Sequence, residues 1–373
     1  MRKVKLPLIL TACAVLSAAC TQEIESPDNL IIPQSRLNDL LVQHPMFSGS
    51  IIVVQNGKIT ASAHTGFGIR ESGMMNNSET LHSVASVGKM FTAVAIAQLV
   101  EAKLLDYDAP VRDILPELAN QINDTVTIDH LLHHTSGLQR ITDVDDATLD
   151  ALENNAEYFG LVLSTGIRSE GPTGFAYNNS NFQILGQIVE QISGQSYESY
   201  IREHIADPAG MTGPIFLRRD RSEGLPIAEH YLAVDFETWW NSEESIVADG
   251  VDDFVHAAPP ATPSAGGGSY ATALDMTRFA AALRIGTVVS VESFNEMCSL
   301  DSSEAVPVRG YGRGCSIDVA EQGTRVGHTG SSAGIQARFF IYREQGLDVV
   351  VLSNHDEQAA PIFDAIDSLI RGQ

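Results

Sequence analysis

The spacing of apolar and polar positions changes character twice along this chain. Residues 34–43 (QSRLNDLLVQ) put Leu37, Leu40 and Leu41 on one face of a short helix. Ser50 to Val54 then reads as a strand, Asn56-Gly57 as a tight turn, and Lys58 to His64 as the returning strand of a hairpin. The far end has the same character. Arg325 to His328, Gln336 to Tyr342 and Leu347 to Ser353 are strand-like, a Gln345-Gly346 turn divides the last two, and Ala359 to Ile370 returns to a helical period. Between these ends the period is mostly helical. Lys89 to Leu105, Phe182 to Ile192 (stopped by Gly194) and Leu274 to Ile285 (stopped by Gly286) are the clearest helices. Residues 259–268 (PPATPSAGGG) and much of 212–256 have loop composition. Strands at both ends with helices inserted predict an α+β fold: an antiparallel sheet built from both chain ends, flanked by terminal helices, beside a mostly helical lobe. The sheet lobe is expected over about 34–85 and 287–373 and the helical lobe over about 86–286. A cleft between them is the expected site.

The first twenty residues do not fit this pattern. Met1 to Cys20 is a basic start (MRKVK) followed by the apolar LPLILTACAVLSAAC, a secretory signal. Ser17-Ala18-Ala19-Cys20 before a polar stretch looks like a bacterial lipoprotein signal, in which the Cys becomes the lipid-bearing first residue. Leu10-Thr11-Ala12-Cys13 competes with it, and cleavage after Ala19 without a lipid is the plain alternative. The reading is therefore a signal at 1–20, a tether at 21–33 and a folded domain at 34–373. The protein is expected at the periplasmic face of a bacterial membrane, anchored through Cys20 or soluble there. Nothing after this segment is apolar for 18 residues in a row, so no internal membrane span is expected.

Composition narrows the partners. Among 373 residues, 47 are Asp or Glu and 23 are Lys or Arg, a net charge of −24. Such a chain repels phosphate backbones, which excludes nucleic acid as an expected partner. Removing the signal leaves two cysteines, Cys298 and Cys315. An even pair in an exported protein can form a disulfide; two buried thiols fit the spacing equally well.

The candidate chemistry begins at Ser86-Val87-Gly88-Lys89, at the head of an apolar helix. Positions three apart share a helix face, so the lysine amine can reach the serine hydroxyl. A hydroxyl needs a neighbour to take its proton, and a lysine desolvated in a cleft can do so. Lysine is also scarce: beyond residue 20 the chain has only Lys58, Lys89 and Lys103. Tyr177-Asn178-Asn179 offers a second proton carrier and amide donors, and His328-Thr329-Gly330 follows a strand able to line a cleft. Gly330 would let substrate backbone come close.

Taken in order, Ser86-x-x-Lys89, Tyr177-x-Asn179 and His328-Thr329-Gly330 resemble the serine β-lactamase and penicillin-binding-protein superfamily, more narrowly the class C β-lactamase, D-Ala-D-Ala carboxypeptidase and esterase family. His82-Ser83-Val84-Ala85, Thr127 to Leu138 (TIDHLLHHTSGL), Phe175 to Gly186, Ala265 to Gly268 with Ala271 to Met276, and Tyr311 to Gly314 match in the same order. The resemblance covers roughly residues 34–370 and implies a β-lactamase-like fold. It implies an acyl-enzyme on Ser86, proton transfer shared by Lys89 and Tyr177, and Asn179 on the acyl side of the substrate. It also implies an oxyanion hole from the backbone N–H groups of Ser86 and Ser331, with no metal or organic cofactor. An ester or a D-amino-acid amide such as a peptidoglycan stem is the expected substrate and a β-lactam the second choice. His328 stands where many β-lactamases have a lysine, and a neutral imidazole is a weak site for a substrate carboxylate.

Other readings compete. Gly330-Ser331-Ser332-Ala333-Gly334 fits a nucleophile elbow, with Asp348 and His355 following, but too little chain remains for the sheet that elbow needs. His130, His133 and His134 lack a known metal-ligand spacing. Asp143, Asp145, Asp146 and Asp150 echo a calcium loop but have Thr148 where its glycine belongs. A surface binding protein that keeps the cleft without turnover is the non-enzyme alternative.

Overall fold

The computed structural model describes residues 31–141, 144–218, 223–232, 255–257, 262–300 and 308–372. The signal with Cys13 and Cys20, most of the tether, and Asp143 lie outside the described residues. No described helix is long and apolar enough to cross a membrane.

Seven strands form the main sheet: β1 (Gly49–Gln55), β2 (Lys58–Thr65), β3 (Val308–Tyr311), β4 (Ser316–Ala320), β5 (Gly323–Ser332), β6 (Ile335–Tyr342) and β7 (Leu347–Ser353). They are antiparallel throughout in the order β2-β1-β7-β6-β5-β4-β3. The two ends of the chain thus meet in mid-sheet, with Gly49 opposite Ser353 and Gln55 opposite Leu347. Both β1 and β7 are buried along their whole length, which is why they read as IIVV and VVVL rather than as alternating strands.

Side chains still alternate, and the alternation makes two cores. Ile51, Val53, Val349 and Val351 face helices α1 (Gln34–Gln43) and α7 (Ala359–Arg371). Ile52, Val54, Val350 and Leu352 face the larger core that holds the remaining helices. Among the helices of that core are α2 (Lys89–Glu101), α3 (Ile128–Leu132), α4 (Asn155–Thr165), α5 (Asn179–Ser193) and α6 (Ala273–Ile285). Helix α6, expected in the inserted lobe, packs directly on β1 and β7. Helix α2 lies deeper still: ten of its residues are buried, so its apolar sequence has no wet face.

Boundaries moved where a side chain caps a helix. Helix α5 starts at Asn179 rather than Phe182, because Asn178 accepts a hydrogen bond from the Ser180 N–H. Helix α4 was not expected; Asn154 caps it through the Glu157 N–H. Strands β3 and β4 were also missed; at four and five residues, VRGY and SIDVA are short signals beside glycine-containing segments.

The sulfurs of Cys298 and Cys315 are bonded, with the Cα atoms 5.8 Å apart and both residues buried. The bridge ties the end of the short helix Val291–Met297 to the start of β4. Cross-linking across 17 residues restricts the unfolded chain, so Cys298→Ser should lower stability by about 3 kcal/mol. Denaturant melts of the variant and the parent, each with and without reductant, check this; an unchanged midpoint contradicts it.

Candidate active site

Residues 82–89 carry the chain from the two-residue strand His82–Ser83, paired with Tyr270–Ala271, through one tight turn at Ala85–Gly88 into α2. Ala85 has φ +45, an unusual value for a residue with a Cβ. This turn puts Ser86 at the head of α2. It is held from two sides. A Cβ on Gly330 would lie 2.3 Å from the Val84 carbonyl oxygen, and one on Gly267 2.8 Å from that of Ala85. The Gly268 N–H donates to Ala85 O at 3.1 Å. The expected role of Gly330 therefore changes. Its missing side chain admits the protein's own Val84–Ala85 backbone rather than a substrate's. The Gly266-Gly267-Gly268 run, read only as loop, wraps the same turn.

Lys89 is fully buried, and its Nζ donates to Ser86 Oγ at 3.1 Å, to Asn179 Oδ1 at 2.7 Å and to the Gly266 carbonyl. Burial lowers its pKa to about 7. The amine also sits 4.8 Å from the centre of the Tyr177 ring. Burial pushes the Tyr177 phenol up to about 12, opposed by its hydrogen bond with Ser86. Ser86, Lys89, Tyr177 and Asn179 thus converge, although 90 residues separate Lys89 from Asn179.

His328 is placed differently from the expectation of a group facing substrate. It is buried, its Nδ1 donates to the Thr329 carbonyl, and its Nε2 accepts from the Tyr311 hydroxyl at 2.9 Å. Burial, then the charge of Lys89, lowers its pKa to about 3, so the ring is neutral. Thr329 is exposed. Ser331 lines a cavity of about 250 Å³ that also takes in Ser86, Asn179, Gln183, Tyr158 and Gly266 to Gly268. None of the described residues lining it carries a charged side chain.

The rival motifs resolve into structural parts. Gly330 to Gly334 spans the hairpin between β5 and β6, not a strand-to-helix elbow, and Asp348 pairs with Arg284 at 2.7 Å. His130 caps α3 through Thr127, His133 pairs with Asp129 at 3.2 Å, and Asp145 caps the helix Asp146–Ala151. His134 and Tyr311, to which no role was given from sequence, pack against Tyr177. The TIDHLLHHTSGL match signalled the first of them and the Tyr311 to Gly314 match the second.

The fold and this convergence define a serine β-lactamase-like protein. The Beta-lactamase family model matches residues 34–368, and the chain belongs to that family. PbpX of Bacillus subtilis (strain 168) is 32% identical over 270 residues, which is 72% of this chain and 61% of PbpX, so the chain spans under two thirds of that relative. The crystal structure of a penicillin-binding protein from Bacillus halodurans superposes with a TM-score of 0.74 at 25% identity, covering 89% of this chain and 99% of that one. A D-amino acid amidase from Ochrobactrum anthropi SV3 with D-phenylalanine shares the fold, with a TM-score of 0.72 at 20% identity over 93% of this chain and 99% of that one.

Proposed function

We propose that this protein is a serine hydrolase working through an acyl-enzyme on Ser86, with an ester or a D-amino-acid amide or peptide as substrate. The observation that carries the proposal is the set of three acceptors around the buried Lys89 amine. Asn179 Oδ1 and Gly266 O can only accept, so they fix two of its hydrogens. In the neutral amine the third position is a lone pair aimed at Ser86 Oγ. With a pKa of about 7, a large fraction of the amine is neutral at neutral pH. Lys89 then takes the Ser86 proton as the oxygen attacks the carbonyl carbon. Tyr177, still protonated, gives its proton to the leaving oxygen or nitrogen and recovers one from Lys89. Backbone N–H groups of Ser86 and Ser331 would hold the oxyanion. Water then gives a proton to Lys89 as its oxygen attacks the acyl carbon, and Lys89 returns that proton to Ser86 Oγ as the acyl–oxygen bond breaks and the acid leaves.

The electrostatics favour substrates without a carboxylate. His328 is neutral and enclosed, and Arg338, opposite Thr329 on β6, faces Asp364 and Glu357. This supports an ester or amide ahead of a β-lactam. The D-amino acid amidase of the same fold agrees with that order. Export and a lipid on Cys20 belong to the same proposal, since a peptidoglycan-like substrate lies outside the inner membrane.

Incubation with a fluorophosphonate should add one adduct to the protein, mapped to Ser86, and Ser86→Ala should lose the adduct and all turnover. A p-nitrophenyl ester or a D-amino-acid amide should be hydrolysed faster than nitrocefin. A wild-type protein that takes no adduct at high probe concentration is instead the non-catalytic binding protein.

A further inference from the structure

His134 holds both sides of Tyr177. Its carbonyl accepts from the Ala176 N–H at 2.8 Å and its Nδ1 from the Asn178 N–H at 3.2 Å. These are the two residues flanking the tyrosine. The imidazole also lies against the phenol, ring centres 4.3 Å apart and planes 41° apart. Among the described residues no other contact of Tyr177 grips main chain and ring together.

Two costs are carried at this one residue. His134 has φ +57, a left-handed conformation that few residues with a Cβ adopt. That conformation turns its carbonyl and its ring toward the same neighbouring segment. Its side chain is also fully buried, and Nε2 has no hydrogen-bond partner among the described residues. Nδ1 already accepts from Asn178 N and lies 3.2 Å from the Asn181 amide nitrogen, so the ring proton is on Nε2. A left-handed backbone at a buried residue with a Cβ, beside a reactive centre, suits function better than stability. Burial lowers its pKa to about 2, so the imidazole is no proton carrier itself.

We propose that His134 is the positioning residue of Tyr177, fixing the phenol where it delivers a proton to the leaving group. The proposal rests on the hydrolase reading above. Ser86 is held by the Ala85–Gly88 turn and Lys89 by Gly266 as well as Asn179, so His134 grips Tyr177 directly and reaches the base only through Asn178 and its neighbour Asn179. The ionisable groups around Tyr177 are Lys89, His134, His328 and Tyr311, and only Lys89 has a pKa near neutrality.

This separates His134 from a merely structural residue. Loss of fold lowers turnover of every substrate equally, whereas a displaced acid harms only leaving groups that need a proton. His134→Asn tolerates the left-handed backbone and keeps an acceptor for Asn178 but has no ring; His134→Phe keeps a ring without the acceptor. Each should lower kcat/KM for an alkyl ester about 10²-fold, within the range for losing a general acid. The loss for the p-nitrophenyl ester of the same acid should be at least tenfold smaller. Adding His134→Phe to Tyr177→Phe should produce little further loss, and KM and the limb near pH 7 should stay in place. Equal losses on the two esters, or losses that multiply in the double variant, overturn the proposal even if one variant folds poorly. A wild-type protein whose Ser86 takes no fluorophosphonate overturns this proposal and the hydrolase reading together; a labelled wild type with equal losses overturns this one alone.

Discussion

Lys89→Met should lower kcat/KM on every ester tested by about 10³–10⁴-fold, the upper part of the range for removing a general base. Methionine matches the aliphatic stem and adds no polar atom to a fully buried position, so the fold should tolerate it. Among the described residues the Ser86 hydroxyl then has only the Tyr177 phenol as a neighbour, which stays protonated and is no base. The same residue sets the pH profile. The active form is the neutral amine, and burial lowers its pKa to about 7. Rates should therefore rise with pH below about 7, close to tenfold per unit at the acidic end, and level off above it. Tyr177, at about 12, stays protonated across that range and adds no second limb there. Lys89→Arg should be as damaged as the Met variant, because a guanidinium keeps its proton throughout. Initial rates from pH 5 to 9 for the parent and both variants test this. A limb near 7 surviving in the Met variant would remove Lys89 from the base role. So would more than a tenth of parental activity.

How much of this was readable from residues alone depended on how local each cause was. Helix α1 and strand β7 were placed to the residue, because one face of the first and the continuous apolar run of the second are local patterns. That both chain ends build one sheet was expected from the strands found there; that β1 pairs with β7 came only with the structure. The Ser86–Lys89 contact is an i, i+3 relation and needed no tertiary information. What stayed hidden is what the distant chain does to these groups. That Gly266, in a stretch with pure loop composition, supplies a carbonyl to Lys89 follows only from the packing of α2 beneath it. The ordinary pKa of an imidazole allowed a neutral His328; what the sequence did not show is that burial first, and then the nearby lysine, holds it neutral, with its Nε2 turned to the Tyr311 hydroxyl. His134 was one of three neighbouring histidines with no distinguishing spacing. Its left-handed φ, invisible in composition, sets it apart from His130 and His133.

The two close glycine approaches make the remaining large prediction. Ser86 lies in a turn clamped between β5 and the glycine run, with Val84 O 2.3 Å from a Cβ position on Gly330 and Ser86 N 3.2 Å from one on Gly267. A methyl group at Gly330 cannot be absorbed by a flexible neighbour, since the obstructing atom is backbone; either β5 or the turn must move. Both carry a proposed oxyanion donor, Ser331 on β5 and Ser86 in the turn. Gly330→Ala should therefore lower kcat by about 10²–10³-fold, as losing one such donor does, with much less change in KM. Gly160, inside α4, has nothing within 4 Å of its Cβ position. Gly160→Ala should keep full activity and gain about 0.5–1 kcal/mol of stability from helix propensity. Measuring kcat, KM and a thermal melt for both variants separates displacement of the site from general unfolding. A Gly330→Ala protein with parental kcat would show that the Ser86 turn and β5 need not touch for turnover, and the oxyanion hole would have to be sought elsewhere.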